Sequence, residues 1–453
     1  MHSLSISGDT CARFHGVILK FHRHCYWLFS SLACMSTPSP IVLSATATYA
    51  QRVTFVTEIA RRLHSYGTTA QRLEATVIAL AQRLHLECAP WSNPTGIILS
   101  FSDPAQTMGP SDITRVIRLE PGINDLHKLA VADQVADAVA NGQMSIAEGH
   151  VALQQLDIPP DTKDKLKLLF SYCMGAAAIA GLWRLPWPDI ATAAVIGLMI
   201  GPLLFYSDRQ LATREASEAL AALVAGFVAT LVASFITPLN LNMVIVSALM
   251  MLLPGMALTN AFNELTSQQW VSGVARLAGA LTSIMKLTVG AVIAVTLAQF
   301  LGLQPQIHTQ HMVSNGIEWL SAGVGVVAFT LLIGTAPRDY PWAISAALSS
   351  YSLSRYGSQI WGGSVGIFLA ATVLTAAGNL FGRVMQRPGA IVRLPGIIML
   401  VPGSSSLYAA LSLMQLHQIQ GGPSAVWTVM NVVIALVAGL LFGNLLLPAR
   451  KNL

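Results

Sequence analysis

The sequence predicts an α-helical polytopic membrane protein: ten transmembrane helices in two inverted five-helix repeats, with a small cytoplasmic N-terminal α+β domain. Three observations predict it. The 453 residues are 53% hydrophobic and only 10% charged, with a mean hydropathy of +0.58, whereas soluble domains carry about 25% charged residues. Ten apolar runs follow residue 165, and the basic residues between them fall mostly on one side. A Pro-Gly break inside an apolar run occurs twice, at Pro254-Gly255 and at Pro402-Gly403.

Residues 1–47 read as a disordered or mis-started extension. They hold Cys11, Cys25 and Cys34 and one short apolar patch at 26–33. Basic residues precede that patch, but it is short for a signal peptide and no clean small-residue cleavage site follows. Met35 opens an ordinary polar start and is expected to be the true one. With Cys88 and Cys173 the cysteines number five, scattered and without a CxxC pair, so neither a disulfide framework nor a metal site is implied.

Residues 48–165 are expected to form the cytoplasmic α+β domain. Val53–Tyr66 is amphipathic at helical spacing and ends at Gly67. Thr69–Leu86 repeats the pattern, with Leu73, Val77, Leu80 and Leu84 on one stripe. Gly96–Phe101 and Thr114–Leu119 read as strands bounded by Pro, Gly or Asp. Helices are expected over Asn124–Asn141 and Ser145–Leu156, the second opened by a Ser145-x-x-Glu148 capping box.

The membrane part divides into 166–303 and 317–447. The ten runs lie at 166–182, 190–206, 219–237, 242–262, 277–303, 317–336, 341–354, 360–382, 394–415 and 424–447. A span needs about 20 residues, so the first and seventh are short. With the α+β domain cytoplasmic, the inner loops carry Arg209, Arg214, Arg276, Arg338, Arg383, Arg387, Arg393, Arg450 and Lys451, and the outer loops only Arg184 and Arg355. That asymmetry obeys the positive-inside rule and keeps both termini cytoplasmic. It also accounts for the formal charge of +5 without nucleic-acid binding.

Pro254 and Pro402 are 148 positions apart, in the fourth and ninth runs, so each half holds five spans. An odd number makes the second half enter from the opposite side, which gives an inverted-topology pair. The third and eighth runs are both rich in small residues, at 221–226 and 370–377, which suits close helix packing. Within a bilayer a break is tolerated only where protein or a water-filled cavity satisfies the freed backbone groups. Two matching breaks point to a transporter's binding site.

Several motifs resemble the threonine/serine exporter family. They are Gly67-x-x-x-x-Arg72-x-Glu74 (with Leu73 where the family's Arg-Val-Glu has valine), the stretch from Arg118 to Leu129, and Gly142-x-x-Ser145-x-x-Glu148. Leu253-Pro-Gly-Met-Ala-Leu-Thr-Asn260 and the run from Arg387-Pro through Leu394-Pro-Gly to Val401-Pro-Gly-Ser404 complete the likeness. It extends from about residue 50 to the C-terminus, as in the form that fuses both modules. The resemblance implies a ten-helix exporter of threonine and serine in the cell inner membrane, driven by the proton gradient or membrane potential. Two-component relatives carry small dicarboxylates such as succinate, which is the alternative cargo. A second alternative is a membrane-anchored enzyme or sensor that works through its N-terminal domain.

An amino acid needs one site for its carboxylate and one for its ammonium. Helix-terminal amides can meet the first, and freed carbonyls or hydroxyls the second. Pro254, Gly255, Thr259, Asn260 and Asn263 around the first break, and Pro402, Gly403, Ser404 and Ser405 around the second, are the substrate-binding candidates. Simple kinks with capping polar groups are the bland alternative. Lys286, ten residues into the fifth span, is a further candidate because a charge at that depth is costly; snorkelling to the interface would equally explain it. Glu318 is a weak proton-coupling candidate, and Arg72, Glu74, Arg118, Glu120 and Asp125 could form a regulatory or gating site, though a solvated surface or interdomain salt bridges are the expected reading. His308-x-x-His311 lacks a nearby carboxylate or thiol, so no metal is expected. No cofactor is expected, and the absence of a P-loop, a Gly-rich dinucleotide fingerprint or a Ser-His-Asp order disfavours ATP-driven transport and catalysis. The expected partners are a small polar metabolite and the lipid bilayer, and a homo-oligomer is compatible with the sequence.

Overall fold

A computed structural model describes residues 47–104, 112–158, 161–207, 211–306, 313–401, 407, 411 and 422–448, with backbone only at 211, 212, 315 and 422–426. All of them belong to one compact unit. The expectations for the first 46 residues, for His308 and His311, and for Pro402, Gly403, Ser404 and Ser405 lie outside the described residues.

The N-terminal elements follow their local signals. Helix α1 (Tyr49–Ser65) starts at a capping box in which Thr48 and Gln51 satisfy each other's backbone amides. It ends before Gly67, whose φ of +79° is a left-handed conformation. Helix α2 (Ala70–Arg83) follows, then an antiparallel sheet of β1 (Glu87–Asn93), β2 (Gly96–Ser102) and β3 (Ile113–Arg118) in that order. The central strand alternates, burying Ile97, Leu99 and Phe101 on the face that meets the helices. Phe55, Ile59, Leu63, Leu73 and Leu80 complete this core, each contributing about 1.5–3 kcal/mol by burial. Helix α3 (Leu126–Ala140) is capped by Asp125, which accepts from the Lys128 amide at 3.0 Å. Helix α4 (Ile146–Gln154) opens on the expected Ser145–Glu148 capping box. Strand β1 is unexpected. Its sequence carries Pro90 and no apolar alternation, and an edge strand tolerates both, because one backbone face is left unpaired.

Nine of the ten apolar runs overlap a helix or a bent helix pair, and the ninth run, 394–415, does so over 394–400, most of its remainder lying outside the described residues. The helices are α5 (Thr162–Leu182), α6 (Trp187–Ser207), α7 (Leu211–Phe235), the pair α8 (Leu241–Leu249) and α9 (Gly255–Thr266), α10 (Trp270–Phe300), α11 (Asn315–Leu332), α12 (Tyr340–Trp361), α13 (Gly363–Met385), α14 (Ala390–Leu400) and α15 (Gly422–Leu446). Among the described residues six helices are long and apolar enough to cross a membrane. The α8–α9 pair, bent by 61°, makes a seventh if it is one span. The expectation of ten therefore exceeds what length and composition alone support. Helix α12 is long enough at 22 residues but rich in serine, and α14 has only 11 residues before the second break. Arg355, expected in an outer loop, is instead inside α12.

The two halves pack alike. In the first, α7 crosses α10 so closely that a Cβ on Gly226 would lie 2.7 Å from that of Ala294. In the second, α13 crosses α15 with Gly439 held as tightly against Ala371, at 2.6 Å. Small residues let the backbones approach where water drives no hydrophobic association.

The N-terminal elements dock on one end of the bundle. The amides of Leu126 and His127 at the start of α3 donate to the carbonyls of Ile333 and Gly334 just past α11, at 2.9 and 3.0 Å. Gln269 Nε2 donates to Glu74 Oε2 at 2.7 Å, and Glu120 pairs with Arg214.

Candidate substrate cavity at the helix breaks

Leu253 precedes a proline and is therefore biased to extended backbone; its φ and ψ are −68° and 132°. Val401, before the second proline, has nearly the same conformation, −70° and 137°. Pro254 caps α9 without a side-chain acceptor. The amide of Gly255 turns back to the Leu253 carbonyl at 2.8 Å, while those of Met256 and Ala257 fall in the first turn of α9, where the helix itself offers no acceptor.

A cavity of about 250 Å³ lies between the first break and the end of α14. Leu253, Pro254, Gly255, Met256 and Ala257 form one side, and Ile398 and Val401 of the second break form another. Tyr172 of α5 and Phe329 and Leu332 of α11 close the walls, and Ile123 and Asn124, from the segment between β3 and α3, reach the rim. The lining is mainly apolar, with the Asn124 amide, the Tyr172 hydroxyl and the backbone at the break as its polar groups. Its volume is below the about 300–1,000 Å³ of pockets that hold drug-sized ligands, which suits a smaller solute. Amides at the start of α9 and the positive end of its dipole favour an anionic group there.

The predicted residues divide. Pro254 and Gly255 line the cavity. Thr259 is buried and its hydroxyl donates to the Gly255 carbonyl at 3.1 Å, so it braces the first turn of α9 and does not line the cavity. Asn260 and Asn263 are half-buried further along α9 and are not in the lining. Lys286 is turned away: its ammonium donates to the Glu215 carbonyl at 3.1 Å, faces Glu218 at 3.6 Å, and its side chain is 40% exposed. This is the snorkelling geometry rather than a buried charge. Glu318 is buried but already holds Arg355 Nε at 2.7 Å and the Tyr351 hydroxyl at 3.0 Å. It is not in the cavity lining.

Sequence reasoning missed Glu264. It is fully buried at the far end of α9 and accepts from Arg276 (Nε and Nη2, both 3.1 Å), Ser272 Oγ (2.8 Å) and the Ala70 amide that starts α2 (3.0 Å). The only signal was an acidic residue ten positions past Pro254. Beside this junction, His64 donates through Nε2 to the Asn93 carbonyl at 3.0 Å, and its buried Nδ1 has no partner among the described residues. Burial holds its pKa below the usual imidazole value, and the nearby charge of Arg276 adds to that lowering. Among the described residues no group of three or more His, Cys, Asp or Glu could hold a metal.

Repeated apolar helices, small-residue crossings and a cavity at the Pro254-Gly255 break define a multi-pass helical membrane protein. Comparison with known proteins gives it a family. One threonine/serine exporter model matches residues 54–298 and a second matches residues 318–446, so the chain belongs to the threonine/serine exporter family. Among similar proteins, an uncharacterised protein of Schizosaccharomyces pombe is 22% identical over 349 residues, covering 74% of this chain and 45% of its own length. Pheromone-regulated membrane protein 10 of Zygosaccharomyces rouxii is 24% identical over 344 residues, covering 74% of this chain and 34% of its own. The Pichia sorbitophila protein of the same name is 23% identical over 345 residues, with the same coverage. The chain spans less than half the length of these relatives. No solved structure matches it.

Proposed function

We propose that this protein is a secondary transporter that exports threonine, serine or a similar small polar amino acid, driven by the proton gradient or the membrane potential. In this reading ten segments cross the cell's inner (plasma) membrane as two inverted five-helix halves, and both termini and the α+β elements face the cytoplasm. The observation that carries it is one small cavity lined both by the Pro254-Gly255 break and by Ile398 and Val401, which lead up to the second Pro-Gly pair. The amides of Met256 and Ala257 suit the substrate's carboxylate, and carbonyls freed by the breaks suit its ammonium. The matching backbone at Leu253 and Val401 supports the two-half arrangement, as does the match between Gly290 of α10 against Ala222 of α7 and Gly439 of α15 against Ala371 of α13. Helix α12, too polar to insert by itself, buries Ala343, Ala347, Ser350 and Gly357 against its neighbours, and four of its six serines return their hydroxyls to backbone carbonyls.

The test is efflux. Cells that lack their own exporters are loaded with a threonine-containing dipeptide, and extracellular threonine is followed with and without the protein. Threonine release that an uncoupler abolishes is the expected result. Succinate release in place of threonine would shift the cargo to dicarboxylates. Release of neither from cells with membrane-inserted protein would overturn the reading.

A further inference from the structure

The arginines at the end of the bundle that carries the α+β elements almost all have an acceptor. Arg276 holds Glu264, Arg387 holds Asp339, Arg214 holds Glu120, and Arg383 donates to the Pro448 carbonyl. Arg393 is the exception. It is half-buried on α14, and its guanidinium has no hydrogen bond or ion pair among the described residues. Its Cβ lies in the tight crossing of α13 and α14, 3.3 Å from where a Cβ on Gly378 would sit. The charge that bears on it is a like one, Arg72 of α2. Packing brings the two together: Ala130 of α3 clusters with Ile391 and Val392 at the start of α14. Asp133, one turn further along α3, takes Arg72 at 3.3 Å.

A half-buried guanidinium beside another cation is costly unless its donors find an acceptor. Its planar fork matches a carboxylate, which can take two parallel hydrogen bonds. Arg393 precedes the cavity-lining Ile398 by five residues, about 7.5 Å of helix rise. We propose that Arg393, with Arg72 beside it, forms a carboxylate-binding subsite on the α+β side of the helix breaks, where cargo docks before it reaches the cavity. Asp133 already carries Arg72, so one positive charge is left without a described counter-ion. That suits one carboxylate, as on an amino acid, better than two. The role as cargo dock rests on the transporter reading, whereas carboxylate binding does not.

The test uses the purified full-length protein in two measurements, with Arg393→Gln and Arg393→Lys. In proteoliposomes, Arg393→Gln is expected to raise the KM for threonine about ten- to hundredfold, the worth of charge-assisted hydrogen bonds. The lysine variant, which keeps the charge but not the fork, is expected to fall between. In detergent, melting is followed with L-threonine, acetate, succinate or threoninamide. Carboxylates should stabilise the wild type, threoninamide should not, and Arg393→Gln should abolish the difference. Without ligand, Arg393→Gln should melt no lower than the wild type, because it removes a cation that lacks an acceptor. A lower melting point with threonine transport reduced only in proportion to folded protein would mark Arg393 as structural and overturn the proposal. So would an unchanged KM together with unchanged carboxylate stabilisation. If the wild type transports no threonine but carboxylates still stabilise it through Arg393, the subsite stands and the exporter reading fails. If no carboxylate stabilises the wild type, the subsite fails.

Discussion

Replacing Glu264 by alanine tests how firmly the second half of the broken helix is tied to the N-terminal elements. The carboxylate is fully buried and takes four hydrogen bonds, two of them from Arg276, whose side chain is only 15% exposed. Its removal leaves a buried cation without a counter-ion, which costs about 3–5 kcal/mol. The Ala70 amide, itself buried, loses its acceptor and adds about 1–3 kcal/mol. Unfolding by denaturant in detergent, followed by intrinsic fluorescence, reads this loss as a fall in the midpoint. The decisive comparison is the double variant Glu264→Ala/Arg276→Ala. Because it also removes the orphaned cation, it should recover about 1–3 kcal/mol relative to additivity of the two single variants. A loss below about 1 kcal/mol in Glu264→Ala, or strict additivity in the double variant, would refute the reasoning.

Other expectations follow from the same geometry. Pro254→Ala restores an amide donor and lets α8 run on into α9, so transport should fall at least about tenfold while the melting point holds or rises; unchanged transport would remove the break from the mechanism. Lys286→Ala should leave threonine efflux within about twofold of the wild type and cost about 0–1 kcal/mol, since its pairing with Glu218 is solvent-exposed. Gly439→Val places a side chain against Ala371 and the Phe368 carbonyl, so it should lower the yield of folded protein, whereas Gly279→Ala, with open space around it, should not. The pH dependence centres on His64. Above about pH 6.5 the imidazole is neutral in both states. As pH falls below that, the unfolded chain binds the proton first, because burial has depressed the folded-state pKa, and stability declines. His64→Gln keeps a donor for the Asn93 carbonyl and should flatten the stability profile between about pH 7 and pH 5.

What the sequence made legible was what depends on local chemistry. The caps at Thr48 and Ser145, the left-handed stop at Gly67 and the break at Pro254-Gly255 are short-range events, and each occurs where its residues demand it. Strand β1 was illegible because its pairing with β2 comes from its place at the sheet edge, which Pro90 tolerates and hydrophobic alternation does not announce. Depth was the other failure. Lys286 counts as mid-span along the chain, yet α10 has 31 residues and one face of it is exposed, which lets the ammonium reach Glu218. Thr259, Asn260 and Asn263 share a helix with Pro254, but α9 turns about 100° per residue, and only its first turn faces the cavity.

Glu74 and Glu120, expected only in solvated or interdomain contacts, bond the bundle, and with Glu264 they explain why the α+β elements and the bundle form one unit. Helix α9 is held at its start by the Pro254 break and at its end by Glu264, which also holds the first amide of α2. Asn124 stands at the cavity rim, and two residues later Leu126 hydrogen-bonds the end of α11, whose Phe329 and Leu332 form the cavity wall. Ser272 and Arg276 of α10 hold the same carboxylate, so changing the 61° bend between α8 and α9 means moving α2 and the start of α10 with α9 or breaking the buried Glu264 contacts. The first course keeps the hydrogen bonds, the second costs several kcal/mol, so α2, α9 and the start of α10 are expected to move as one rigid body. A cross-link that fixed α2 to α10 through the Glu74–Gln269 contact, 2.7 Å in this conformation, should then leave transport intact. Transport arrested by such a cross-link would show that α2 parts from α10, and the Glu264 contacts break, when the bend changes.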